Sequence, residues 1–196
     1  MAELTRDRPR RVAVARWCSD VGSPPVFTAL TLAQGASHGQ AGAGTVVAWS
    51  LGLSLLLAGV PLAYVLMLVQ RGRVTDIHLP LRRERRGPIA VTLIAAVAAI
   101  VVARELAAPR LLQQVLLAAL LQTLLLGLIT LWWQISFHTA AAALFAGVAV
   151  VLWGPSASPL LLLVALIGWA RVELDRHTLA QVLAGSVVGL LPLLWL

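Results

Sequence analysis

Long apolar runs without alternation constrain the fold of this chain more than any other feature. The run "LLQQVLLAALLQTLLLGLITLWW", residues 111–133, shows no period-two pattern. A membrane-spanning helix needs about 20 apolar residues, and inside lipid only helices or closed barrels satisfy their own backbone polar groups. Because barrel strands alternate apolar and polar residues, these runs predict helices. With 60% hydrophobic residues, 12% charged residues and a mean hydropathy of +0.90, the chain is predicted to be an all-α, polytopic membrane helical bundle.

We predict about six to seven transmembrane helices in a single domain over residues 23–196. Residues 1–22 are basic and carry acids as well, and no clean cleavage pattern follows them, so we interpret them as a retained cytoplasmic arginine-rich tail. The weakest of the apolar segments is the first, which ends in a glycine-rich stretch typical of a tight turn. The candidate spans are 23–37, 45–69, 88–103, 111–133, 139–153, 159–173 and 178–196.

Charge placement favours seven spans and sets an orientation. All 15 basic residues are arginines, and seven spans place 13 of them on one side of the membrane, with Arg104 and Arg110 opposite. Without the first span the arginines would divide eight against seven. Because arginine and lysine accumulate in cytoplasmic loops, we expect a multi-pass cell-membrane protein whose N-terminus and arginine-rich face are cytoplasmic.

Composition also excludes some partners and sites. The net charge of +7 does not indicate nucleic-acid binding, because the sequence has no soluble domain and no interleaved aromatic surface. Cys18 is the single cysteine, which excludes an intrachain disulfide and a cysteine-based metal site. We expect the phospholipid bilayer and an anionic lipid or phosphate to be the partners, while the oligomeric state stays open.

Three polar islands interrupt the apolar runs. Taken singly, each has an ordinary interpretation as a solvated arginine loop, a helix cap or an interfacial loop with snorkelling side chains. With seven spans, however, all three lie on the same membrane face, where histidines, arginines and a serine converge as a candidate site. The islands are "RGRVTDIHLPLRRERRGP" (71–88), "WWQISFHTAAA" (132–142) and "WARVELDRHTLAQVLAGSVVG" (169–189).

Spacing within the third island predicts a break in the helix. Arg171 and His177 are six residues apart and would face different directions on one continuous helix, so a break near Asp175 is needed to bring them together. His177 and Gln181 are four residues apart and share one helical face. The same stripe continues as the G-x-x-x-G of residues 185–189, which predicts close packing of a neighbouring helix.

The second and third islands resemble motifs of the phosphatidic acid phosphatase type 2 superfamily of membrane lipid phosphatases. That superfamily carries K-x6-R-P, P-S-G-H and S-R-x5-H-x3-D in this order, and the order and intervening spans match residues 71–189. In the third motif Arg171 and His177 fit, while alanine replaces the serine and Gln181 replaces the aspartate. In the second motif Ser136 and His138 fit.

The first motif of the superfamily is matched more loosely. The stretch "RRERRGP" keeps arginines before a proline but has no lysine to lead it and has an intervening glycine. Arg82 and Arg85 are the candidate phosphate ligands in this stretch. Guanidinium groups suit such a role because they form bidentate hydrogen bonds with phosphate oxygens.

The resemblance implies a phosphatidic acid phosphatase type 2 like core and hydrolysis of a lipid phosphate or isoprenoid diphosphate without a cofactor or metal. It implies that His177 attacks phosphorus to form a phosphohistidine, that His138 protonates the leaving group and that Gln181 orients His177. It also assigns phosphate binding to a further set of residues. Two alternatives stay open: a lipid phosphoryl or headgroup transferase on the same fold, and a noncatalytic lipid-binding or transport scaffold. The phosphate-binding candidates are Arg82, Arg85, Ser136 and Arg171.

Overall fold

The protein is helical throughout the part of the chain that its structure describes. This computed structural model describes residues 2–38, 42–76 and 81–196, and it contains no strand within those ranges. The helices are α1 (Ala2–Val21), α2 (Pro24–Ser37), α3 (Ala43–Ser54), α4 (Val60–Gln70), α5 (Arg86–Glu105), α6 (Arg110–Thr130), α7 (Phe137–Trp153), α8 (Leu161–Glu173) and α9 (Leu179–Leu190). A π-helical segment, Leu55–Gly59, joins α3 to α4, and 3₁₀ segments occupy Arg82–Glu84, Gly154–Leu160 and Leu191–Trp195.

Four helical stretches in the described residues are long and apolar enough to cross a membrane. They are Ala43–Gln70, Arg86–Glu105, Arg110–Thr130 and Phe137–Glu173, and a shorter apolar helical stretch follows at Leu179–Trp195. The predicted all-α class is therefore confirmed, with four candidate membrane-spanning helices among the described residues. The count of six to seven spans stays a prediction, because length and composition identify four.

The stretch Phe137–Glu173 folds back on itself as two antiparallel helices. Gly154 ends α7 with a φ of +72°, which is a left-handed conformation that glycine adopts without steric cost. Phe27 of α2 packs in one cluster with Ala142 of α7 and Ile167 of α8, so the two helices run side by side. The predicted segments 139–153 and 159–173 thus correspond to α7 and α8.

The predicted N-terminal tail forms a helix, α1, that packs against α8. Cys18 and Ala15 lie buried against Ala170, and Arg11 forms an ion pair of 2.9 Å with Glu173. The arginines of this segment gave no apolar periodicity from which a helix could be predicted. Packing on α8 supplies the buried contacts that stabilise it.

The polar islands meet at one end of the bundle, which we call the site end. The start of α5 is joined to the end of α6 by a hydrogen bond of 2.9 Å from Arg85 Nη1 to the carbonyl oxygen of Thr130. The segment before α7 is joined to the first turn of α9, because the backbone N–H of Ser136 donates to the carbonyl oxygen of Gln181 at 3.3 Å. Contacts between segments far apart in the sequence thus bring the islands together at this end.

Candidate functional site

A cavity of about 370 Å³ lies at the site end and collects most of the predicted site residues. Its polar wall contains Arg85, His138, Arg171 and His177, which come from all three polar islands. Its other walls are mostly apolar and come mainly from α4 and α5 and from the segment before α7. The structure therefore brings two arginines and two histidines, far apart in sequence, into one cavity.

The connection between α8 and α9 explains how Arg171 and His177 reach the same cavity. Helix α8 ends at Glu173, and Asp175 follows with a φ of +53°. Its left-handed backbone turns the chain so that the N–H groups of Arg176 and His177 both donate to the carbonyl oxygen of Arg171, at 3.0 and 3.2 Å. The predicted break near Asp175 is confirmed.

Gln181 fixes the orientation and tautomer of His177. Its Oε1 accepts a hydrogen bond of 3.0 Å from the N–H of Thr178 and lies 3.2 Å from Nδ1 of His177. The backbone N–H can only donate, so the amide atom facing both groups is the oxygen. Nδ1 must then carry the proton and donate to this oxygen. In the neutral ring the lone pair is therefore on Nε2, the nitrogen with which a histidine can attack phosphorus.

The surroundings of His177 favour the neutral form of its ring. Burial lowers the pKa of His177 below its usual 6.5, and the positive charge of Arg171 lowers it further. Hydrogen bonds that the ring donates to the side chain of Gln181 and to the backbone of Gln134 oppose these two effects, but the net direction is downward. An unprotonated His177 at neutral pH is the form that a nucleophilic role requires.

Arg85 is the arginine of the first island that the described residues bring to this cavity. It is only 7% exposed and is held by its hydrogen bond to the carbonyl oxygen of Thr130. Arg83 and Arg86 line a separate cavity beside Trp132. The side chain of Arg82, the other predicted phosphate ligand here, lies outside the described part of the structure.

Arg171 is held from the outside by α1. Its Nη1 donates a hydrogen bond of 2.9 Å to Oγ of Ser19, which is only 4% exposed. Its Nε is buried and has no hydrogen-bond partner within the described residues. Sequence reasoning missed Ser19, because a single serine 152 positions from its partner carries no local signal.

Ser136, predicted to bind phosphate, is not among the residues that line the cavity. The residue is fully buried, and its Oγ accepts a hydrogen bond of 3.4 Å from the N–H of Thr139. Ser136 is thus the N-cap of α7, a role for which serine is strongly preferred. Phe137 and His138 in the first turn of α7 line the cavity instead, so the end of a helix that favours anions lies in its wall.

The predicted glycine stripe brings α9 against the first turns of α7. A Cβ at Gly185 would overlap the carbonyl oxygen of Ser136 and Oγ1 of Thr139, and one at Gly189 would overlap the carbonyl oxygen of Ala140. At this close approach the N–H of Ser136 donates to the carbonyl oxygen of Gln181, and Oγ1 of Thr139 donates to that of Val182. The predicted close packing at the G-x-x-x-G is confirmed, and it places the helix that carries Gln181 next to the helix that carries His138.

The charged groups of the site suit an anion. Within residues 2–38, 42–76 and 81–196 no group of three His, Cys, Asp or Glu side chains is placed to hold a metal ion. Two guanidinium groups and a helix N-terminus favour an oxyanion such as phosphate. Comparisons of the chain with protein-family models, with curated proteins and with solved structures found no match.

Proposed function

We propose that this protein is an integral-membrane phosphatase that hydrolyses a lipid phosphate or an isoprenoid diphosphate through a phosphohistidine. We propose further that it is a divergent member of the phosphatidic acid phosphatase type 2 superfamily, with glutamine in place of the motif aspartate. The observation that supports this most is the meeting of Arg85, His138, Arg171 and His177 in one cavity. These are four of the seven residues that the motif order selects.

The shape of the cavity supports an amphiphilic substrate. Pro61, Leu62 and Val65 of α4 and Phe137 of α7 form its apolar part, opposite the charged residues. Leu62 is 50% and Phe137 39% exposed, so this part continues to the outer surface of the helices. A hydrocarbon tail would lie along that surface while its phosphate enters among the arginines.

The phosphate would be bound by Arg85, Arg171 and the first turn of α7. Positive charge from two guanidinium groups compensates the charge that develops on the nonbridging oxygens during attack. The first N–H groups of a helix have no partner within that helix and point outward from its end. In this proposal they take over the contact predicted for the hydroxyl of Ser136.

The first chemical step forms the phosphoenzyme. Nε2 of His177 attacks phosphorus, the P–N bond forms, and the bond from phosphorus to the leaving oxygen breaks. Protonated His138 gives its proton to that oxygen, so the alcohol or phosphate departs in neutralised form. Gln181 keeps Nδ1 of His177 protonated and the ring in place, although as a neutral amide it compensates positive charge on the ring less than an aspartate would.

The second step returns the enzyme to its starting state. Neutral His138 takes a proton from water, the resulting hydroxide oxygen bonds to phosphorus, and the P–N bond to His177 breaks. Inorganic phosphate leaves, and His138 is protonated again for the next cycle. If an alcohol took the place of water, the same step would be a lipid phosphoryl transfer.

We place the site end in the cytoplasm and the protein in the cell membrane with multiple spans, because the arginine count supports that orientation. Arg83, an exposed residue at the site end, provides a test. In a Cys18→Ala background, Arg83→Cys is expected to react with a membrane-impermeant maleimide only after the cells are permeabilised. Labelling of intact cells would overturn the orientation without affecting the chemistry.

The proposed activity is tested by phosphate release from a substrate panel. Purified protein is assayed with phosphatidic acid, phosphatidylglycerol phosphate and polyprenyl diphosphates, with chelator and with an acceptor alcohol in separate arms. We expect release of inorganic phosphate from at least one substrate, lost in His177→Ala and kept in His38→Ala, a change at an exposed histidine outside the cavity. Release that survives His177→Ala contradicts the proposal, and a phosphorylated alcohol as the main product indicates the transferase.

A further inference from the structure

A second cavity, of about 80 Å³, lies deeper in the bundle among α2, α5, α6 and α7. Its wall contains hydroxyl and amide side chains without any charged residue: Thr28, Thr31, Thr92, Gln122 and Thr123. We call it the polar cavity. Polar side chains inside an apolar bundle are costly, and they indicate a function or a ligand that compensates the cost.

Gln122 gives the polar cavity an unsatisfied donor. The residue is 7% exposed, and its Nε2 is buried without a hydrogen-bond partner among the described residues. A buried amide N–H that lacks a partner destabilises the folded protein. A ligand that accepts a hydrogen bond from Gln122 would remove this cost.

The threonines of the polar cavity supply acceptors. Thr31 Oγ1 donates to the carbonyl oxygen of Phe27 at 2.7 Å, and Thr92 Oγ1 donates to that of Pro88 at 2.8 Å. Each hydroxyl has therefore used its proton within its own helix and retains lone pairs. The occupant must accept from Gln122 and donate to threonine oxygens, which water can do and a lipid ester carbonyl cannot.

The polar cavity lies directly beyond the site along the bundle. Three helices pass from one cavity wall to the other over successive turns: α2 from Pro24 to Thr28, α5 from Pro88 to Thr92, and α7 from His138 to Ala141. Thr92 belongs to both walls. Water in the polar cavity is thus one helical turn from His138.

We propose that the polar cavity is a hydration site that supplies the water for hydrolysis of the phosphohistidine. At roughly 15 Å³ per water molecule it has room for about five. The supply role rests on the proposed function, whereas the hydration of the polar cavity does not. Gln122 and Thr31 act as positioning residues. They hold water beside α7, the helix that carries His138 one turn away.

Hydration is tested by radiolytic hydroxyl-radical labelling of the protein in nanodiscs, read by mass spectrometry. Buried Val115 and Leu144 line the polar cavity, while equally buried Val148 and Leu112 do not. We expect more labelling of Val115 and Leu144 than of Val148 and Leu112. In Gln122→Leu this difference in labelling should be lost. Gln114→Leu, the same change on α6 outside the cavity wall, should keep it. Equal labelling of both pairs overturns the proposal.

Supply is tested by the lifetime of the phosphoenzyme in the same variants. In Gln122→Leu and in the isosteric Thr31→Val, decay of the phosphohistidine should slow about fivefold, while the rate of its formation should stay unchanged. In Gln114→Leu both rates should equal those of the unaltered protein. Unchanged decay in both cavity variants overturns the supply role. If no phosphoenzyme forms in the unaltered protein, the proposed function and the supply role fail together, and the labelling result still decides hydration.

Discussion

Nδ1 of His177 lies 3.2 Å from Oε1 of Gln181, and the same oxygen accepts the N–H of Thr178 at 3.0 Å. Gln181 therefore has two roles, because it orients the proposed nucleophile and closes the capping box at the start of α9. The superfamily motif has aspartate at this position. Glutamine is longer by one methylene group, which lets one oxygen contact the ring and the helix N-terminus together.

Gln181→Glu should increase activity and move its pH profile. The carboxylate keeps both hydrogen bonds and adds a negative charge beside His177, which raises the pKa of its ring and stabilises the charge formed on attack. Gln181→Leu removes both contacts and should reduce kcat/KM about 10–100-fold. The measurement is kcat/KM against pH, with Gln114→Glu as the matched control. A profile unchanged in Gln181→Glu would show that residue 181 does not act on His177.

Activity and stability should both decrease in acid. His177 attacks only when neutral, and its pKa is lowered by burial and by Arg171, so kcat/KM should decrease only below its usual 6.5. The unfolded chain binds a proton at His177 more readily than the folded one, so this residue stabilises the fold fully above pH 6.5. That contribution is lost as the pH decreases through the lowered folded-state pKa. Thermal unfolding at pH 7 and pH 5 should show a smaller difference in His177→Gln than in the unaltered protein.

Gly185→Ala should destabilise the site end. The added Cβ would overlap the carbonyl oxygen of Ser136 and Oγ1 of Thr139, which forces α7 and α9 apart at a cost of about 1–3 kcal/mol. Gly52→Ala in α3 is the matched control, because nothing lies within 4 Å of its Cβ position. We expect a lower midpoint of thermal unfolding only for Gly185→Ala. Equal midpoints would contradict the close packing of the two helices.

Most helices could be predicted from the sequence, because apolar runs and turn residues are local signals. The predicted 23–37 and 88–103 correspond to Pro24–Ser37 and Arg86–Glu105. Helix α1 could not be predicted in this way, since its stability comes from contacts with α8. The ion pair of Arg11 with Glu173 joins residues 162 positions apart.

The site was predictable where a motif fixed both residue type and spacing. Arg171, His177 and His138 were selected by such motifs and line one cavity. Ser136 was assigned to phosphate on the motif alone, although serine three residues before Thr139 also fits an N-cap, which is its position in the structure. The role of Thr92 could not be predicted, because no local sequence pattern shows that it lies between two cavities.

Ser19→Ala should weaken phosphate binding. Loss of its hydrogen bond frees the guanidinium of Arg171 and should raise KM about fivefold with little change in kcat. Ser19→Thr keeps the hydroxyl and should restore KM, and Ser156→Ala at an exposed turn is the control. In an Arg171→Ala background Ser19→Ala should have no further effect. An additive effect there would show that Ser19 acts independently of Arg171.

We propose that His177 carries the phosphate during turnover. The most direct measurement is peptide mass spectrometry, at neutral to alkaline pH, of protein quenched during turnover of the best substrate from the panel. We expect an acid-labile phosphate on His177, absent in His177→Gln and retained in His38→Gln. Turnover with no phosphate on His177, and with phosphate release undiminished in His177→Gln, would contradict it.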